Sequence, residues 1–598
     1  MTRNRIGLFL LIAAPLATCM PSTAPAAEPG AAQGPEAISV PQLMKNLDSD
    51  DLRVSSSAAR SLGVIFAPGG KGGEELPAVT KMLIERLASP KGADLRRESA
   101  VALGKMRAAS AADGLKKAMA DEDVLVAMAA GEAVGQVLSV DDARGYLIKR
   151  AEEESESVKL ASLHGLAPIC KPEDVPVLRK GLAARNWRTQ MAAVKGLQRA
   201  AQAGAKIAAE DYDGIAAVLG NEVRNAADAA LNFFVNVHNP ESFRAVLKAA
   251  ETKDGNGPDD GAWRTRAQSL RVVRRLGWPA TRDALPVVIR NLGDRTTNVT
   301  NQAKGTLAGL RKEHLMSQGE LFPLFVAELE KAESLPVRAG IMEEMGRDVD
   351  RAFASRVGKV AIDTLTKSME DKPQWSARAH SLVLLAASGS TGAMEMVAAC
   401  AGDNVTNVRE AAGHALEALS PLCSAKERGA VAPVLQPLLV KTEDWRKTAV
   451  AARAIGHYAG TEAVAPLVQL LGHNVLNVRE AASHSLVLMV SGENKELRAE
   501  VEKAVQPEME KNERAWECGA PVLGALKQAK AVPVLTTVLQ RGDWRAKAAA
   551  AKAAEQIAAA EKITDKPLSD ALIQAAQSDV VQVHEAANKA LRVINQGK

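Results

Sequence analysis

The stretch Asn404-Val-Thr-Asn-Val-Arg-Glu-Ala-Ala-Gly-His-Ala-Leu416 returns 70 residues later as Asn474-Val-Leu-Asn-Val-Arg-Glu-Ala-Ala-Ser-His-Ser-Leu486. Fainter echoes lie at Asp94–Gly104, Glu222–Leu231 and Val581–Leu591. Within the first copy, Val408, Ala411, Ala412, Ala415, Leu416 and Leu419 fall at i, i+3, i+4, i+7 spacing, the stripe of an amphipathic helix. A second apolar helix with an early proline precedes most copies, as in Val431–Leu435, Ala463–Leu471 and Ala531–Leu539. Proline is tolerated in a first helical turn, where its missing N–H loses no partner. Each unit therefore reads as helix A, a short turn and helix B.

One such hairpin cannot bury its own stripe; stacked hairpins bury each other's. The spacing predicts about sixteen units of roughly 30–37 residues over 41–598. Composition agrees. The 598 residues are 47% hydrophobic but only 3% aromatic, so the apolar mass is Ala, Val and Leu. A chain of this length exceeds what one compact core supports, roughly 250–300 residues, so growth in one dimension is expected. Lys and Arg number 75 against 71 Asp and Glu, a balance with no global field for polyanions. Nucleic acid is therefore not an expected partner.

The recurring Asp403, Val408, Arg409, Ala412 and Leu416 resemble the bacterial HEAT-repeat consensus, with Asp in the turn and Val-Arg opening helix B. The resemblance implies an all-α, right-handed α-solenoid superhelix of HEAT-like helical hairpins. It also implies that Asp403 and Arg409 bond along the turns, and it departs at Arg479, where His473 stands in place of the Asp. Such proteins include scaffolds, transport receptors and, in the phycobilin lyases, enzyme-associated members.

Six tryptophans, Trp187, Trp263, Trp375, Trp445, Trp516 and Trp544, have apolar or small residues seven and ten positions on, as Arg409 has Leu416 and Leu419. This spacing puts tryptophan where the consensus has arginine. Four are followed by arginine: Arg188, Arg264, Arg446 and Arg545. Two readings stay open. The rings close the interface between units, or the Trp-Arg pairs grip a protein partner, both residues being favoured in binding hot spots. His380, His414 and His484 share a position five residues after Trp375, Arg409 and Arg479 and read as polar-edge residues rather than metal ligands.

No catalytic, cofactor or metal motif stands out. Gly69–Gly73 lacks the order of a phosphate-binding loop, and Asp254–Gly261 lacks the closing Glu of a calcium loop. Cys170, Cys400, Cys423 and Cys518 are widely spaced; whether Cys400 and Cys423 form a disulfide is left open.

At the N-terminus, Arg3 and Arg5 precede the apolar run Ile6–Ala14, the pattern of an export signal. Two processing sites compete. Cleavage after Ala26 makes 1–26 a signal peptide. A lipobox-like Leu16–Cys19 would leave 1–18 as the signal and lipidate Cys19, although Thr18 departs from that pattern. Residues 27–40 read as a disordered Pro/Ala/Gly linker. The expected protein is exported, periplasmic or outer-membrane-anchored in a Gram-negative-type bacterium, and meets a membrane only through such an anchor. Its expected role is a scaffold for a protein or extended peptide, with no small-molecule substrate. A structural envelope rod and a HEAT-like lyase or enzyme-associated subunit are the alternatives.

Overall fold

The computed structural model describes residues 39–70, 73–153, 155–253, 261–440 and 443–596. The signal, Cys19, most of the linker, Lys71 and Gly72 of the glycine-rich loop, and Asp254–Asp260 lie outside the described residues. The described residues form 33 α-helices and short 3-10 turns, with no strand. One A helix is split into Ala280–Asp283 and Leu285–Arg290; counting it once leaves sixteen A–B hairpins. The fold is an all-α solenoid. No helix among the described residues is long and apolar enough to cross a membrane.

Two compact units divide the chain, Met1–Gly165 and Leu166–Lys598. The first carries four hairpins, with B helices Leu52–Ile65, Ala93–Lys105, Val124–Val137 and one beginning at Glu156. The second carries twelve, from Val175–Leu182 with Trp187–Gln202 to Lys566–Ala575 with Val581–Gln596. Inside each unit, B helices pack on the B helices of the next hairpin and A helices largely on A helices.

Local sequence sets the helix starts. Asp51 Oδ1 accepts from the Arg53 N–H at 2.9 Å, and Asp123 caps Val124–Val137 in the same way at Leu125 and Val126. Proline stands in the first turn of many A helices, as at Pro77, Pro176 and Pro533. Pro433 departs from the expectation: it sits inside helix Ala425–Val440. That helix starts earlier because Ser424 and Glu427 satisfy each other's backbone N–H groups in a reciprocal cap.

The stripe of the deciding stretch is core. Val408, Ala412, Ala415, Leu416 and Leu419 are fully buried. Ala411 is the exception and lies at a groove described below.

Glycine permits the closest B-to-B approach. A Cβ on Gly63 would lie 2.6 Å from Ala102 Cα, and one on Gly456 would lie 2.8 Å from Ser485 Cα. Both neighbours are backbone atoms of the next B helix, so a side chain here forces the hairpins apart. We expect Gly63→Ala to destabilise the first unit by about 1–3 kcal/mol through overpacking. Gly145→Ala, a helical site with nothing within 4 Å of its Cβ, should stabilise by about 0.5–1 kcal/mol. Chemical denaturation of the two variants checks the contrast; equal shifts would refute the packing argument.

Candidate functional site

The last carbonyls of a helix have no partner within that helix. Here N–H groups of the turn take several of them, as the Asp403 N–H takes Cys400 O, and a side chain early in helix B reaches back chiefly to the carbonyls of the turn itself. Arg378 Nη1 donates to Ser368 O at 2.9 Å and Nη2 to Lys372 O at 3.0 Å. Arg409 Nη1 donates to Asp403 O at 2.8 Å and Asn404 O at 2.9 Å, and Arg479 Nη1 to His473 O at 2.9 Å. Arg96, Arg266 and Arg338 repeat this with Ser89, Thr252 and Ala332.

The same guanidinium grips the turn of the following hairpin. Arg378 Nε donates to Asp403 Oδ2 at 2.9 Å, while Asp403 Oδ1 accepts from the Val405 N–H at 2.8 Å. Arg266–Asp294 and, in the first unit, Arg96–Asp121 are built alike. The expected Asp403–Arg409 pair is therefore corrected. Arg409 takes the carbonyl of Asp403, and the carboxylate belongs to Arg378 of the preceding hairpin.

Two substitutions follow this logic. Gln190 donates to Ala184 O at 2.9 Å, and its amide oxygen accepts from Asn221 Nδ2 at 2.7 Å. Asn221 Oδ1 accepts from the Val223 N–H at 2.8 Å, so a neutral amide pair replaces the ion pair. His473 Nδ1 accepts from the Val475 N–H at 3.1 Å, doing the turn-capping work of the missing Asp. The corresponding place in the hairpin before it is held by buried Thr448, so no arginine is left without a carboxylate.

The tryptophans fall into two groups. Trp516 alone occupies the arginine place: it is 6% exposed, and its Nε1 donates to Met509 O at 2.7 Å. The other five sit one turn earlier, at the first or second residue of their helices. Three positions on from them stand Gln190, Arg266, Arg378, Thr448 and Lys547. The expectation that tryptophan replaces the consensus arginine is thus corrected for Trp187, Trp263, Trp375, Trp445 and Trp544.

The four Trp-Arg neighbours do come together. Arg188, Arg264, Arg446 and Arg545 lie over the rings of Trp187, Trp263, Trp445 and Trp544, at 4.4, 5.0, 4.7 and 5.2 Å from the centroids. Each such stack is worth about 0.5–1 kcal/mol at an exposed site and holds both side chains in place. Trp375 and Trp544 are 40% and 45% exposed.

Trp375 stands at one side of a groove of about 960 Å³ on the B-helix face. Ala379, Val383, Ala387, Ala411, Ala415 and Ala418 make its floor, and the small side chains leave the space unfilled. Glu343, Arg347, Glu410 and Glu417 stand among its other lining residues. His380 and His414 both line this groove. Burial pushes the His380 imidazole below the ordinary range, Glu343 opposing, and Ser376 Oγ lies 3.3 Å from its Nδ1. His380 is two places past Arg378, whereas His414 and His484 are five past Arg409 and Arg479, so the three histidines do not form one column. No group of three metal-ligating side chains occurs among the described residues.

Cys170, Cys400, Cys423 and Cys518 are buried free thiols. Burial pushes Cys400 and Cys518 up to about 12 and Cys170 to about 11.

Residues 112–198 match the family model for HEAT repeats. The chain contains HEAT repeats. Among solved structures it is similar to yeast importin-beta (Kap95p), at 13% identity and TM-score 0.31, over 93% of this chain and 88% of that one. It is similar to Kap121p bound to RanGTP, at 13% identity and TM-score 0.37, over 90% and 58%. It is also similar to the complex of CpcE and CpcF of phycocyanin lyase from Nostoc sp. PCC7120, at 20% identity and TM-score 0.26, over 44% and 98%. No curated protein matched the sequence.

Two predictions concern the HEAT-repeat turns and thiols. Arg378→Ala should cost about 3–5 kcal/mol, since it leaves Asp403 and several carbonyls without their donor. Combining Arg378→Gln with Asp403→Asn, which copies Gln190–Asn221, should recover at least half the loss of Arg378→Gln alone in urea unfolding. No recovery would refute the equivalence of the pairs. Separately, iodoacetamide at pH 8 should leave Cys400 and Cys518 unlabelled in the native protein and label them in denaturant, because the thiolate is the nucleophile. Mass spectrometry reads the difference, and rapid native labelling would contradict it.

Proposed function

We propose that this protein is an exported scaffold that holds a protein or extended peptide against the B-helix face of its second unit and performs no chemistry of its own. The observation that carries the proposal is the alanine-floored groove beside the half-exposed Trp375. A cleft left open by short side chains on rigid helices accepts a partner's side chains with little ordering cost. An exposed tryptophan beside it supplies the kind of anchor found at binding hot spots.

The Trp-Arg stacks extend this reading. Trp187, Trp263, Trp445 and Trp544 sit at helix starts with their arginines already ordered. Prior ordering lowers the entropy lost when a partner is gripped. Trp516 is set apart as a packing residue by its burial and its bond to Met509.

Export rests on Arg3, Arg5 and the apolar run Ile6–Ala14. The destination we propose is the periplasm or, with Cys19 lipidated, the outer membrane of a Gram-negative-type bacterium. Fractionation of cells making the native chain and Cys19→Ala separates the two: only a lipidated protein moves from the membrane to the soluble periplasm on substitution.

A photo-crosslinking amino acid at Val383, in the groove, should trap one reproducible partner in intact cells. The same probe at Thr366, exposed on an A helix, should not. Trp375→Ala should cut the Val383 product at least severalfold while moving the unfolding midpoint little, whereas Trp516→Ala should unfold the protein readily. Equal products from both probes, or none from either, would overturn the scaffold reading.

A further inference from the structure

Two adjacent B helices of the second unit, Ala262–Leu276 and Thr297–Lys312, contain no acidic residue. Their cations are Arg264, Arg266, Arg271, Arg274 and Arg275 on the first and Lys304, Arg311 and Lys312 on the second. Other elements neutralise most of them. Arg264 pairs with Glu222 at 3.2 Å, Arg266 with Asp294 at 2.6 Å and Arg271 with Asp228 at 3.2 Å. Lys304 pairs with Glu343 at 2.6 Å and Arg311 with Glu344 at 2.9 Å. Arg274, Arg275 and Lys312 are exposed and make no ion pair among the described residues. Glu313 follows Lys312 at once and offsets it, as Asp283 offsets Arg282 on the next A helix, which leaves Arg274 and Arg275.

Neutral neighbours keep these two arginines uncompensated. On one side the ladder of Glu222–Arg264 and Asp228–Arg271 comes to an end. Arg271 stands 43 positions after Asp228, and the same step back from Arg275 reaches Asn232, exposed and uncharged. On the other side Arg274 lies against Gly305, where an added Cβ would be 3.4 Å from its Nη1. The guanidinium thus rests over the backbone of Thr297–Lys312, and exposed Ala308 stands one turn on. The patch adjoins the groove, because Lys304, next to Gly305, pairs with Glu343 of the groove lining.

We propose that Arg274 and Arg275 dock an acidic segment of the partner, each guanidinium taking one side-chain carboxylate. The planar fork of arginine meets a carboxylate with two parallel N–H donors. Two uncompensated cations, on a chain with 75 cationic and 71 acidic residues, suit a short acidic segment. Nucleic-acid binding draws instead on many phosphate contacts. Glu343, Glu410 and Glu417 line the groove itself, so the acidic segment lies on the arginine side while an apolar side chain of the same peptide enters the alanine floor. The inference rests on the scaffold reading and names the chemistry of its partner.

The test uses the full chain and a rhodamine-labelled synthetic peptide with two adjacent glutamates near one end and leucine near the other. In anisotropy titrations it should bind far more tightly than the same peptide with lysines in place of the glutamates. Arg274→Gln and Arg275→Gln should each weaken binding about threefold to fivefold, the range of exposed ion pairs. Arg295→Gln, which removes an exposed cation before the first turn of Thr297–Lys312, should leave it unchanged. Gly305→Asp should weaken binding as much as Arg274→Gln, because it gives Arg274 a carboxylate within the chain, whereas Gly305→Asn should not. Binding should loosen as salt rises, and the unfolding midpoints of the variants should stay close to the parent's. Equal binding of the lysine peptide, full affinity in the Arg274→Gln, Arg275→Gln double variant, or equally tight binding of a short oligothymidylate would overturn the proposal. If the partner trapped from Val383 docks through a segment without acidic residues, this inference fails and the scaffold reading stands.

Discussion

A short turn whose N–H groups close the end of helix A, as those of Ala401, Gly402 and Asp403 close Met394–Cys400, leaves its own carbonyls for water or a side chain to satisfy. That demand fixes much of the rest. In six hairpins the answer is an arginine early in helix B, folded back over the turn as at Arg378 and Arg409. A guanidinium has donors to spare after two carbonyls, and these reach the carboxylate that caps the next turn, as Arg378 reaches Asp403. One residue therefore closes its own hairpin and fixes the next one. Lysine, a compact point charge with a flexible stem, would not span carbonyl and carboxylate with the same fixed fork.

Other residues meet the same demand when they satisfy both halves of it. Gln190 and Asn221 do so with amides, which lowers the cost of burial because no charge is desolvated. Trp516 does half of it, giving its indole N–H to Met509 O and filling the space that an arginine stem would occupy. His473 keeps the turn closed where Thr448 leaves no guanidinium to pair. In the Gln190–Asn221 and Thr448–His473 cases the donor before and the cap after change together.

The helical-hairpin fold was legible in the sequence because its signal repeats. The apolar stripe of Thr406–Leu419 and the return of the whole stretch at Asn474 carry it without any detail of contact. The place of the tryptophans was less legible, for a geometric reason. Moving three residues along a helix turns the direction by about 300°, so an apolar stripe overlaps itself after the shift. Trp187 with Val194 and Leu197 therefore resembles Arg409 with Leu416 and Leu419, although Gln190 is the true counterpart of Arg409. The signal that could have decided it was polar: an Arg or Gln three places after the tryptophan, present at Gln190, Arg266 and Arg378. The proline of Ala425–Val440 misled similarly, because the Ser424–Glu427 cap was a stronger start signal than Pro433.

The groove could not be read from spacing, because it arises from what neighbouring helices lack. Ala379, Ala387, Ala411, Ala415 and Ala418 come from two B helices and are unremarkable helix formers one by one. Only when the hairpins stack do their short side chains line a common floor, with Trp375 and the acidic residues rising around it. The internal repeat then gives that surface a meaning that a single helix lacks. A stack of similar hairpins makes neighbouring positions equivalent, so a side chain used once can be used again at a fixed step. Glu410 and Glu480 are exposed copies of each other two hairpins apart, but the B helix between them carries Arg446 and Arg453, so the face they share is one of mixed charge.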